Sequence, residues 1–286
     1  MTPRNRAAIS MLVSAAAFAV MGAFVKAATD TPFVEKVILR NFVTLGSAAL
    51  IAARSGRPLL GRWRHQPLLF ARSLLGLGGV TCFFYAVDHL LLADATMLTK
   101  LSPFFVAVFA AFFLGERPSR TVVLGMVIAF AGGLLVMKPR FDLSVVPALV
   151  GLGSAVFAGG AYTCLRSLRS KEASETIIFH FSLVTVVGLL PFAAAELRVP
   201  QGIEAVWLLG IGTAAAVGQF GLTLAYRDGP AAEVSVYSYA MILVAALLGY
   251  VFWSEVPDAL SLLGGTLIIG GGVMVYLAER RSEPAG

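Results

Sequence analysis

Lys100 sits inside a long apolar run, between Thr99 and Pro103, at a depth where a charged side chain is costly and usually functional. Arg40 lies about seven residues into an earlier run, roughly 10 Å deep at 1.5 Å per residue. Each cation admits two readings. It can snorkel along the bilayer edge and leave its charge in water, or it can face an interior cavity and hold an anion. A helix bent by Pro103 and carrying the Thr99 hydroxyl suits a cavity, so Lys100 is read that way; for Arg40 both readings stay open. The chemistry such cations offer is pairing with a carboxylate through charge-assisted hydrogen bonds.

The chain repeats itself at an offset of 139 residues. The shift superposes Glu116 on Glu255, Pro118 on Pro257, Gly125 on Gly264, and Gly132-Gly133 on Gly271-Gly272. It also places Lys100 on Tyr239, Thr99 on Ser238, and Arg40 on Phe179 beside His180. The second half thus offers aromatics, hydroxyls and a histidine where the first offers charge. Tyr85, Tyr162, Gln219 and Tyr237 add polar tips at membrane depth. The bland alternatives are interfacial-belt positions for the tyrosines and a hydrogen-bonded core role for His180, against one in proton coupling. The candidate binding set is therefore Lys100, Arg40, Thr99, Tyr85, Tyr162, His180, Gln219, Tyr237, Ser238 and Tyr239. All 16 Asp and Glu residues fall at helix ends or in loops, which leaves no midplane acid for a lipophilic cation.

The elements that must position these groups are apolar helices. Charged residues make up 13% of the 286 and apolar ones 58%, and mean hydropathy is +0.84, so no sizeable aqueous domain fits. Ten segments are long enough to cross a ~30 Å hydrocarbon layer: roughly 6–28, 33–53, 67–88, 93–114, 119–138, 144–165, 174–195, 203–226, 231–252 and 258–278. Pro103 and Pro191 fall inside segments and should bend them. The net charge of +6 does not point to nucleic acid, because the basic residues lie between apolar runs, where they set topology. With both termini in the cytoplasm, 15 Lys and Arg residues, Arg72 among them, fall on the cytoplasmic side. Five fall outside: Lys26, Lys36, Lys138, Arg140 and Arg198. Five spans per repeat is an odd number, so the second half enters upside down, and a substrate site is expected at the repeat interface. Cys82 and Cys164 lie in apolar runs and read as packing residues.

The stretch from Thr99 to Val136 carries a proline in the fourth segment, a Gly115-Glu116-Arg117 turn, and a glycine-bearing fifth segment. This resembles the EamA-type signature of the drug/metabolite transporter superfamily. The resemblance covers the whole chain, with a degenerate second copy holding Ile242 for Pro103 and Ser254-Glu255-Val256 for Gly-Glu-Arg. It implies a central cavity lined chiefly by segments 1, 3, 4, 6, 8 and 9. It also points to the branch of the family that exports amino acids, including aromatic ones. Glu116 and Glu255 read as caps on the helices that follow them, not as site residues. Gly76-Leu77-Gly78-Gly79 lacks the strand and the later acid of a dinucleotide fingerprint.

Together these readings predict an all-α integral membrane protein of ten transmembrane helices in 5+5 inverted repeats, residues 1–141 and 142–286. It should sit in a bacterial inner membrane, and two fused halves allow it to act as a monomer. Its partners should be lipid and a small solute: an amino acid or a related carboxylate moved outward by alternating access. An organic-acid carrier is the alternative and a multidrug exporter a more distant one. Neither a cofactor nor a metal is expected, and there is no HExxH, CxxC or clustered histidine to support an enzyme.

Overall fold

The computed structural model describes residues 2–114, 119–138, 145–193 and 201–282, and among them every regular element is helical. The turn at 115–118 with Glu116, and the loop positions Arg140 and Arg198, lie outside the described residues. Twelve α-helices form ten apolar spans. They are α1 (Pro3–Ala27), α2 (Phe33–Ser55), α3 (Gln66–His89), α4 (Leu92–Thr99), α5 (Ser102–Leu114), α6 (Arg120–Met137), α7 (Val146–Leu168), α8 (Ser174–Ala193), α9 (Ile203–Asp228), α10 (Ala231–Ser238), α11 (Ala240–Trp253) and α12 (Ala259–Ser282). The fourth span is α4 with α5, and the ninth is α10 with α11.

Local chemistry fixes the ends. Thr2 accepts the Asn5 N–H ahead of Pro3 in α1, and Ser119 accepts the Val122 N–H at the start of α6. Gly56 closes α2 in the left-handed region, where the absence of a Cβ removes the strain. The fourth span breaks at Lys100-Leu101, because Pro103 has no N–H to continue the ladder from Thr99. The ninth span breaks at the equivalent Tyr239 with no proline present. There the Tyr239 ring lies over Gly272, in the space a side chain would fill. Pro191 falls in the last described turn of α8, with only two residues of helix after it.

Packing follows the internal repeat. The helix α1 packs along α9 as its counterpart α7 packs along α3, while α2 packs on α8 and α6 on α12. The last contact is a reciprocal glycine crossing. A Cβ on Gly132 would lie 2.5 Å from the Gly264 carbonyl, and one on Gly125 would lie 2.9 Å from the Gly271 carbonyl. Gly125 and Gly132 meet Gly271 and Gly264 in reverse order, so the two equivalent helices run antiparallel, as inverted halves require. Close backbone approach of this kind is how helices associate where no hydrophobic force separates protein from lipid.

The ends of the spans opposite the termini carry three lysines, each paired. Lys26 bonds Glu255 and donates to the Leu90 carbonyl at 2.9 Å. Lys36, 1% exposed, meets Asp88 at 2.8 Å, and Lys138 meets Asp258 at 3.0 Å and Asp94 at 3.6 Å. Glu255 does not cap the helix that follows it. Its carboxylate accepts the Leu92 N–H at the start of α4, while Asp258 caps α12 by accepting from Ser261 N–H. The reading of Glu255 as a cap for its own next helix is corrected accordingly: the short link before α12 leaves that task to the nearer Asp258.

Candidate functional site

One cavity of about 90 Å³ opens at the centre of the bundle, where the two repeats meet. At roughly 10–15 Å³ of such space per water, it holds a handful of waters in this conformation. Segments 1, 3, 4, 6, 8 and 9 all line it, as expected, and α2 and α8 contribute as well. The helix break places Lys100 at the wall. Beside it the Thr99 and Ser154 hydroxyls lie 2.7 Å apart, each also in reach of its own helix's carbonyl at Ala95 or Gly151. This contact ties the end of α4 to α7 and fixes where the lysine enters.

Arg40 and Arg72 enter from α2 and α3 and share one aromatic ring. Their guanidinium carbons lie 5.5 and 4.6 Å from the Phe181 centroid, within cation–π range. Both arginines are 2% exposed, so the snorkelling reading of Arg40 is excluded: its charge stays inside the bundle. Arg40 Nη1 donates to Asn41 at 3.0 Å, and Asn41 in turn donates to the Val37 carbonyl. Beyond that, Arg40 Nε, Arg72 Nε and Nη1, and the Gln219 amide nitrogen have no hydrogen-bond partner among the described residues. None of the three cations forms an ion pair with a described carboxylate, whereas Lys26, Lys36 and Lys138 all do.

Of the expected residues, Lys100, Arg40, Thr99, Tyr162 and Gln219 line this cavity, and five do not. His180 bridges Ser73 at 2.9 Å and Gln66 at 3.2 Å behind the wall, with the Phe70 ring edge-on. Tyr85 stacks on His89 near the far end of α3. Tyr237 packs in the cluster near the termini, and Ser238 donates to the Ser235 carbonyl. Tyr239 is buried against Gly272 instead of reaching the centre. The repeat offset pairs Ser238 and Tyr239 with Thr99 and Lys100, but their side chains turn elsewhere.

Arg72, Phe181 and Ser154 were not expected. Arg72 was counted among the 15 cytoplasmic flanking charges because it lies only five residues inside segment 67–88. Its burial removes it, leaving 14 against five. The signal lay in Gly76, one helical turn on and on the same face. A Cβ there would come within 2.4 Å of Arg72 Nη1 and 2.8 Å of the Phe181 ring. The Gly76-Leu77-Gly78-Gly79 run, which is no dinucleotide fingerprint, is thus partly the seat of a buried cation.

A chain of ten spans, closed as two inverted five-span halves around a central polar cavity, has the architecture of a metabolite carrier. The sequence profile of the EamA-like transporter family matches residues 5–138 and 146–277, and the chain belongs to that family. It is 38% identical over 256 residues to a pseudopaline exporter of Pseudomonas aeruginosa, covering 88% of this chain and 89% of the relative. A riboflavin transporter of Rhizobium johnstonii is 29% identical, over 77% and 72% of the two chains. An S-adenosylmethionine uptake transporter of Rickettsia felis is 25% identical, over 74% and 72%. A solved crystal structure 20% identical superposes with a TM-score of 0.72 over 98% of this chain and 99% of that one, a likeness of fold alone. The protein is a multi-pass membrane transporter of small metabolites, and its relatives are named as transporters, not as enzymes.

Proposed function

We propose that the protein exports carboxylate-bearing metabolites, amino acids or close relatives of them, by alternating access in a bacterial inner membrane, with its termini in the cytoplasm. The observation that carries this reading is the set of three cavity cations, Arg40, Arg72 and Lys100, without a carboxylate partner among the described residues. A solute carboxylate would supply the missing charge and its aliphatic or aromatic body would pack on Phe181, Phe83 and Tyr162. The outward direction is supported by the 38% identity to a protein named as an exporter. Two fused halves already enclose one cavity, which supports function as a monomer with repeats at 1–141 and 142–286. An organic-acid carrier without amino-acid preference is the second reading. It is favoured because the cavity offers no described carboxylate to receive a solute's ammonium.

Purified protein in liposomes should exchange labelled carboxylate solutes and exclude ethidium, which the cations repel. Ethidium flux without carboxylate flux would overturn the reading. For orientation, single cysteines at Arg62 and Arg169 should resist an impermeant thiol reagent in intact cells, and those at Arg140 and Arg198 should react. Labelling of the first pair from outside would reverse the assignment.

A further inference from the structure

Charge balance in the cavity carries the argument beyond a single carboxylate. Two of its cations, Arg40 and Arg72, are brought together on one ring, Phe181, although like charges in a low-dielectric interior repel. The third, Lys100, enters from a different helix at the α4 break, beside Thr99 and Ser154. Among the described residues nothing pairs the N–H groups of Arg40 Nε, of Arg72 Nε and Nη1, or of the Gln219 amide, all in the wall of one cavity. A monocarboxylate at Lys100 would leave both guanidinium groups buried and unneutralised, an unfavourable state for a desolvated ion. One at the arginines would leave Lys100 in the same position. The fork of a guanidinium matches a carboxylate in two parallel hydrogen bonds, and the ammonium binds as a point charge, so the two ends suit two separate anionic groups.

We infer that the transported solute carries at least two carboxylates and a net negative charge, one carboxylate held by Lys100 with Thr99 and another by the Arg40–Arg72 pair. This rests on the reading of the cavity as a carboxylate site, and selects within it against monocarboxylate zwitterions. An amino acid qualifies when its carboxylates outnumber its ammonium groups. Gln219 supplies a further donor for a carboxylate or carbonyl oxygen of the same solute.

The test is a thermal-shift titration of purified protein with propanoate, succinate and propane-1,2,3-tricarboxylate at pH 7 and constant ionic strength, so that bulk screening is equal throughout. In the wild type, succinate should bind at least tenfold more tightly than propanoate, the lower bound for one added charge-assisted hydrogen bond. In Arg72→Gln the succinate-to-propanoate ratio should collapse to within about threefold. Arg72→Lys, which keeps the charge and loses the fork, should restore part of it. The wild-type series stands without any variant. Equal affinity for propanoate and succinate in the wild type overturns the two-carboxylate inference and leaves the carboxylate reading in place. No stabilisation by any of the three acids overturns the carboxylate reading, and the inference falls with it.

Discussion

Six of the buried or half-buried cations among the described residues fall into two groups of three. Lys26, Lys36 and Lys138, at the ends of the spans, are each met by a carboxylate and tie neighbouring helices together. Arg40 and Arg72, in the central cavity, are met by an aromatic face and Arg40 by the Asn41 amide, while Lys100 lines the same cavity, and none of the three meets a described carboxylate. The rim cations complete the protein's own structure. On the proposed reading, the cavity cations are completed by a solute carboxylate. On that reading the same chemistry serves stability in one place and recognition in the other, and the partner decides which.

The contrast is broken most forcefully at Lys36. Asp88→Leu would strand a lysine whose side chain is 2% exposed with only the Val25 carbonyl for company. Leaving a buried charge uncompensated costs about 3–5 kcal/mol. Denaturant unfolding in micelles should show that loss, while solute affinity stays within about twofold of wild type. A stable Asp88→Leu with impaired binding would merge the two groups into one.

The reciprocal experiment removes a cavity charge. Lys100→Met keeps length and deletes a cation that has no anionic partner among the described residues, so the fold should hold, since no partner charge is stranded by its loss. Binding of a carboxylate solute should fall roughly 10- to 150-fold, the worth of a charge-assisted hydrogen bond of about 1.5–3 kcal/mol. Isothermal titration against the wild type reads this directly, and unchanged affinity would remove Lys100 from the site.

Smaller effects sharpen the rim. Glu255→Ala deletes the partner of both Lys26, which keeps partial exposure, and the Leu92 N–H, and should cost about 1.5 kcal/mol. Asp258 is held below the usual carboxylate range, chiefly by the Ser261 backbone N–H and then by Lys138. A depressed pKa contributes stability above the unfolded value near 3.9 that is lost as pH falls through the folded value. The melting temperature of Asp258→Asn should therefore lie slightly below wild type at pH 6, and the gap should close in acid. A gap that persists below the folded value would point to packing, not charge.

How much of this the sequence disclosed differs between fold and site. Ten spans, two halves and a break before Pro103 follow from apolar length, a constant offset and one missing N–H, all local or periodic signals. Lys100 and Thr99 were legible for the same reason, since a charge beside a proline in an apolar run has few other uses. The break at Tyr239 was not, because it comes with the packing of a ring on Gly272 and with no local breaker. Arg72 was hidden by its nearness to a helix end, where a charge ordinarily reaches water. Only the third dimension shows that α8 brings Phe181 over it. His180, a titratable residue at membrane depth, follows the alternative the sequence also offered, a core histidine hydrogen-bonded to Ser73 and Gln66.

The central claim is that the cavity cations are completed by solute carboxylates. A double-mutant cycle tests it most directly, pairing Lys100→Met in the protein with succinate→succinamate in the solute, so that one change deletes the cation and the other one anion. If the two groups meet, the deletions should be non-additive, with a coupling energy of about 1.5–3 kcal/mol by isothermal titration. A coupling energy near zero, with both changes simply adding, would show that the carboxylate binds elsewhere and would contradict the account.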